Sequence, residues 1–338
     1  MRTALVILAV AAAAVAWPQA QPVADGPDDE RFVAFLGEVR DEAIARGIAA
    51  ETIARAFEGL TFEPTVIERD RTQAETVQAP DDYIRRRVTA AMVRTGRTRS
   101  APHRELLARV SAHYGVQARY LVAVWGMESN YGRFSGVRPT VQALATLAWD
   151  GRRGPFFRGE LINALEIVDR GHIDLASMKG SWAGAMGQPQ FMPSSYLKFA
   201  EDFDGDGRRD IWATPADIFA SVANYLKHHG WDDTQTWGRE VQLSAAVVAR
   251  AAALGTLEGG CRARRTMSVR QGLAAWQAMG VRSVGGGALP AVDREASLVT
   301  AGRRHFLVYG NYEALLAYNC AHPYALSVGL LGDQIGRP

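Results

Sequence analysis

Val122–Gly132 reads VAVWGMESNYG. Its first half is apolar, its second half is turn chemistry, and one carboxylate, Glu128, stands between them. Leu121, Val122, Val124, Trp125 and Met127 predict a mostly buried helix, which Asn130 and Gly132 end just after Glu128. A helix C-terminus carries partial negative charge and prefers Lys or Arg. Glu128 there faces both desolvation and an unfavourable dipole, and both raise a carboxyl pKa. A carboxylic acid still protonated near neutral pH is a good general acid. The competing reading is a surface glutamate with its charge in water.

Outward from this helix the pattern stays helical. Phe32, Phe35, Leu36 and Val39 share one face. Gly47 breaks that run, and Ile53, Ala56, Phe57 and Leu60 suggest a second helix. A polar stretch holding Pro64 and Pro80 follows. Asp81–Val93 reads as one helix, with Arg85, Arg86 and Arg87 on a solvated face. Ser100 and Pro102 open another, and Gly159–Val168 is amphipathic. After Trp237 the texture changes to short apolar runs and glycines, so 237–299 reads as a smaller module with some strand. Arg303–Tyr312 suits a strand or turn, Glu313–Tyr318 a short helix and Tyr324–Ile335 a closing helix. The class is mainly α with a small β element.

The chain has 338 residues and a net charge of +2. So balanced a charge argues against nucleic acid as the main partner. An apolar run from Ala4 to Ala16 follows Arg2; it is short for a bilayer span. Ala14-Val15-Ala16 fits a signal cleavage site, with Ala20 as a second option. No Cys follows the run, so a lipoprotein is not expected. The mature protein is expected to be exported and soluble; an uncleaved membrane anchor is the alternative. Cys261 and Cys320 are the only cysteines. In an oxidising compartment they can pair and constrain the unfolded chain; two buried thiols are the alternative.

Two further stretches carry chemistry. GSWAGAMGQPQFMPSSY, Gly180–Tyr196, mixes glycines with Ser181, Trp182, Gln188, Gln190 and Phe191. Apolar faces for sugar rings beside amides and hydroxyls suit a carbohydrate; a tight structural loop is the alternative. DFDGDGRRD, Asp202–Asp210, matches the first nine positions of an EF-hand loop. Asp202, Asp204, Asp206 and Asp210 offer side chains, and Arg208 a carbonyl. Ala213 stands where the bidentate Glu is expected. The next acid, Asp217, also fits a capping box begun by Thr214; an acidic turn without an ion is the alternative to calcium binding.

VWGMESNYG, ALATLAWDGRRGPFF, KGSWAGAMGQPQFMPSSY, DFDGDGRRDIW, SVANYLKHHGW and AYNCAHPYA occur in this order. Together they resemble the lytic murein transglycosylase B family, from about Arg31 to the C-terminus. The resemblance implies a lysozyme-like, goose-type-like core with an N-terminal helical domain and a small inserted α/β module. The expected divisions are 1–24 signal peptide and linker, 25–104 N-terminal helical region, 105–236 catalytic core with the EF-hand-like loop, 237–299 small module, and 300–338 the rest of the core.

The resemblance also implies roles. Glu128 matches the single catalytic acid/base. Ser181, Gln190 and Asn319 match contacts to the reacting sugar, and Arg152 and Arg153 a pair near the muropeptide. Tyr225, Tyr318 and Tyr324 match groove aromatics. Phe156 stands where the best-known member has a tyrosine, and Cys320 where it has a histidine. The aspartate loop matches a calcium site whose last ligand favours Asp217. The implied reaction cleaves the MurNAc-β-1,4-GlcNAc bond without water, leaving 1,6-anhydro-MurNAc ends and using no catalytic cofactor; calcium is a structural ion. The implied setting is the periplasm, with glycan strands and other cell-wall enzymes as partners and a monomeric chain. A hydrolytic muramidase needs a second carboxylate, for which Asp150 and Glu160 are candidates. A non-catalytic peptidoglycan-binding protein is the other alternative.

Overall fold

The structure, a computed structural model, describes residues 27–73 and 79–337. The signal peptide expected over 1–24 lies outside the described residues. No helix among these residues is long and apolar enough to cross a membrane.

The central helix is Ala118–Ser129. Its residues from Tyr120 to Met127 are buried on every side, so it needs partners all round. Arg104–Tyr114, Pro215–His228, Gly310–Tyr318 and His322–Ile335 supply them. Leu107, Ala223, Leu315 and Val328 close on it in one core. A second core joins Pro27–Ala45 and Ala50–Phe57 to Thr140–Asp150, Gly154–Asp169 and Pro193–Phe199. Tyr318 packs against both cores and marks the seam between them.

The smaller module is built on a five-stranded antiparallel sheet. Its spatial order is Gln271–Gly272, Glu295–Ala301, Arg304–Val308, Gly238–Gln242 and Arg282–Ser283. Leu298 pairs with Leu307, and Val299 with Phe306. Side chains alternate across a strand. Leu298 and Leu307 therefore enter the module's own core with Trp276, while Val299 and Phe306 enter the central one. The sheet thus docks the module instead of hanging from it. It also takes in Arg304–Val308, beyond the boundary at residue 299 expected from sequence.

Several sequence expectations need correction. The polar stretch before Pro80 holds a helix, Pro64–Gln73; its hidden side chains are Val66 and Asp70, too few for an apolar period. The single helix expected over Asp81–Val93 is two, Pro80–Arg87 and Ala90–Ser100. Thr89 divides them, its hydroxyl accepting from Met92 N–H at 3.1 Å, a side-chain N-cap. Thr214 makes no side-chain cap to the helix Pro215–His228. Asp217 accepts instead from Phe203 N–H and Asp210 N–H, each at 2.8 Å, so the capping box is not formed.

Candidate active site

Glu128 occupies the last turn of Ala118–Ser129. Asn130 ends the helix in the left-handed region with φ 49°, and Tyr131 follows at φ 59°. That reversal folds the Tyr131 ring back on the helix, where its hydroxyl donates to Met92 O at 2.9 Å. Only a glycine admits this: a Cβ on Gly126 would lie 2.6 Å from the ring. Trp125 Nε1 donates to Gln188 Oε1 at 2.6 Å, and Gln188 Nε2 to Trp212 O at 2.7 Å. The glycine-rich loop is thereby fastened to the acid-bearing helix.

Glu128 is partly buried, with protein packed round its carboxyl. Desolvation pushes its pKa up to about 7. Two groups work against that shift. The Tyr324 hydroxyl donates to Glu128 Oε1, and the positive charge of Arg87 lies nearby. Both favour the ionised form. Arg87 also donates to Met127 O, at a helix end where cations are stabilised. Tyr324 and Tyr318 are both held well above ordinary phenol values, by burial first and by the Glu128 charge next.

The aromatics form one wall. The Tyr318 and Tyr324 rings stack at 6.4 Å, and Tyr225 meets Tyr318 at 4.7 Å. The Tyr318 hydroxyl donates to Pro189 O at 2.8 Å, and that of Tyr225 to Ala317 O at 2.7 Å. Tyr225 is buried, so it props Tyr318 from behind.

Other sequence candidates are more scattered. Ser181 Oγ accepts from Ala185 N–H at 3.1 Å, within its own loop. Gln190 has φ 54°, and its Nε2 donates to Gly187 O at 2.9 Å. It follows Pro189, the residue gripped by Tyr318. Asn319 is exposed beyond the end of Gly310–Tyr318. Beside it, Cys320 is bonded to Cys261, with the two Cα atoms 6.0 Å apart. Arg152 and Arg153 converge on the buried carboxylate of Asp70, Arg152 Nε at 2.6 Å. Phe156 is 51% exposed, its ring 5.1 Å from Phe157. No contact ties these last three to Glu128.

Neither candidate second carboxylate is free. Asp150 pairs with Arg71 at 2.5 Å. Glu160 is buried and accepts from Ser194 N–H at 2.8 Å and Ser194 Oγ at 2.6 Å. Among the described residues, no neighbouring acid perturbs Glu128.

Sequence reading missed Tyr83, Arg87 and Asp70. Arg87 is exposed, as expected, but also donates to Met127 O. Tyr83 shares the polar surroundings of Arg87 and Glu128, although burial dominates its raised pKa. Tyr83 and Arg87 stand four apart on the helix Pro80–Arg87, a spacing that puts both on one face. That pairing was the available signal.

In the aspartate loop, Asp202, Asp204 and the buried Asp217 each bring a carboxylate oxygen within 4.8 Å of the others. Burial pushes Asp217 up to about 6, and the charges of Asp204 and Asp202 add to the rise. Asp206 and Asp210 are outside this trio. Asp206 accepts from Arg208 N–H and Asp210 from Trp212 N–H, each at 2.8 Å.

Over residues 31–333 the chain matches the family described as transglycosylase SLT domain. It is 34% identical over 260 residues to the membrane-bound lytic murein transglycosylase B of Escherichia coli (strain K12), covering 75% of this chain and 66% of that relative. The chain thus spans about two thirds of that relative's length. Its fold superposes on SltB3 from Pseudomonas aeruginosa in complex with NAG-anhNAM-pentapeptide with a TM-score of 0.83 and 43% identity, over 90% of this chain and 79% of that one. The Escherichia coli lytic transglycosylase Slt35 in complex with calcium gives a TM-score of 0.73 and 27% identity, over 89% of this chain and 92% of that one.

Proposed function

The chain belongs to the transglycosylase SLT domain family, and on that premise we propose that it is an enzyme acting on peptidoglycan, in which Glu128 works alone as acid and then base in a lytic transglycosylase reaction. Protonated near neutral pH, it donates to the O4 leaving oxygen as the bond to C1 of the muramyl residue breaks. The resulting carboxylate takes the proton of that residue's C6 hydroxyl as its oxygen closes onto C1. The products are a shortened strand and a 1,6-anhydro end, and Glu128 regains its proton. Most glycoside hydrolases need a second carboxylate for attack or water activation. Here the nucleophile belongs to the substrate.

The observation that carries this reading is a lone acid with its pKa up to about 7, held by Tyr324. The engagement of Asp150 by Arg71 and of Glu160 by Ser194 speaks against the hydrolytic alternative. Tyr318 and Gln190 border the reacting sugar in this reading, with Ser181 and Asn319 beside them. The arginines at 152 and 153 and Phe156 serve a more distant part of the muropeptide. Mass spectrometry of products from purified peptidoglycan tests the reaction: anhydro ends support it, and reducing ends from water attack overturn it.

Asp202, Asp204 and Asp217 would hold a calcium ion, with further oxygens from neighbouring loop residues or water. Their mutual approach is repulsive without a cation, which is the fit. The ion would order the loop and take no part in bond cleavage. Export to the periplasm is part of the same reading, supported by the apolar leader and the Cys261–Cys320 bridge.

A further inference from the structure

At the end of the central helix away from Glu128 lies a recess of about 420 Å³. Arg97, Arg104, Arg119 and Arg337 line it, and no acid does. Among the described residues, none of the four guanidiniums makes an ion pair. Arg97 donates only to the backbone oxygens of Gln334 and Arg337, at 2.6 and 2.8 Å. Arg104 is exposed. Arg119 lies over the Tyr120 ring at 4.8 Å, and its Nε is buried without a hydrogen-bond partner. Asp333, on the same helix as Ile335, accepts from Tyr120 at 2.9 Å and Trp237 at 3.0 Å.

The backbone adds to this field. The helix Ala118–Ser129 begins at the recess with no side-chain cap and no acid in its first turn. Gln117, its first flanking residue, spends its side chain on Asp233 O at 2.7 Å and Trp231 Nε1 at 2.9 Å. Unsatisfied N–H groups at a helix start favour an anion. Leu107, Val122 and Ile335 give the recess an apolar floor.

We propose that this recess binds a phosphate-ester anion. Like charges brought together repel, so a set of guanidiniums with no acid in the lining favours an anion. Guanidinium forks match phosphate oxygens bidentately, and four of them line this one recess. The apolar floor receives the carbon side of the ester. A phospholipid headgroup at a membrane surface and a soluble phosphate share this chemistry.

The test uses the purified protein and reads binding alone, so it stands apart from the cleavage reaction. Inorganic phosphate is titrated by calorimetry, and vesicles of phosphatidylglycerol in phosphatidylcholine, against pure phosphatidylcholine, are tested by co-sedimentation. The variant is Arg104→Ser/Arg337→Ser, both exposed. The control is Arg262→Ser/Arg265→Ser, which removes equal charge elsewhere. The expected result is saturable binding of one phosphate, weakened at least about tenfold in the first variant and unchanged in the control. Co-sedimentation with the anionic vesicles, lost in the same variant, identifies the headgroup as the source; phosphate binding without it identifies a soluble phosphate. No saturable binding of either probe overturns the proposal, as does equal weakening by both variants.

Discussion

The hydroxyl of Tyr324 donates to Glu128 Oε1 across 196 positions of sequence. This bond favours the carboxylate, while burial favours the acid. Burial wins, leaving the pKa at about 7. Tyr324→Phe removes the weaker influence and leaves the stronger. Bond cleavage needs the protonated acid, so kcat/KM should fall as pH rises through the Glu128 pKa. In Tyr324→Phe that falling limb should move to higher pH by up to about one unit, with a lower maximum because the carboxyl is less well held. A limb that stays in place would remove Tyr324 from this role.

Glu128→Gln should abolish cleavage and yet stabilise the fold above neutral pH. The native pKa is raised from 4.5 to about 7. Between those values the native state binds more protons than the unfolded state, so Glu128 lowers stability as pH rises through the window. The glutamine has no charge to bury and can still accept from Tyr324. The variant should be about 2–3 kcal/mol more stable at pH 8. The difference should vanish near pH 4, where both states of the wild type are protonated. Urea unfolding of both proteins across that range decides it; equal stability at pH 8 would mean that Glu128 is not desolvated.

Arg87 reaches the site through the carbonyl of Met127 and through its charge. Arg87→Met should raise the Glu128 pKa and shift the falling limb in the same direction as Tyr324→Phe. Arg87→Lys keeps the charge and should restore most of the wild-type profile. If both variants lose activity equally with the limb unmoved, Arg87 serves packing alone.

The legible parts of this site were local. Glu128 stood out because an apolar run met turn residues, and the helix does end in a left-handed Asn130. What sequence hid was tertiary. Asp70 lies in a helix without apolar period, buried only because Arg152 and Arg153 close on it. Arg85, Arg86 and Arg87 read as a solvated face, and only the fold brings Arg87 to the carbonyl of Met127. Asp217 had the right offset for a capping box, but the loop from Asp202 to Asp210 folds over it and takes both its oxygens. A local rule and a long-range contact competed there, and the long-range contact won.

The Cys261–Cys320 bridge closes a separation of 59 residues. Chain-entropy arguments give such a loop on the order of 4 kcal/mol of stabilisation. Cys320 follows Tyr318 and Asn319, so the bridge also pins the segment that carries the aromatic wall. Cys261→Ser/Cys320→Ser should melt well below wild type and lose cleavage at temperatures where it is still folded. Thiol titration of the unfolded, unreduced protein should find no free thiol; two per chain would refute the bridge.

Calcium should act on stability and not on the chemical step. Asp202, Asp204 and Asp217 face one another within 4.8 Å, and Asp217 is fully buried. An ion that binds only the native state stabilises it by mass action, about 2.7 kcal/mol at a hundredfold excess over its dissociation constant. The loop lies between the glycine-rich segment and the helix Pro215–His228, which carries Tyr225. Chelator should therefore lower the melting midpoint, and added calcium should restore it, with cleavage below the midpoint little changed. Asp204→Ala is the sharper variant: this residue is exposed and outside the packed core, so its loss should erase the calcium response without unfolding the chain. A midpoint indifferent to millimolar calcium, with no heat of binding, would leave Asp202 and Asp204 as a solvated turn closed over Asp217.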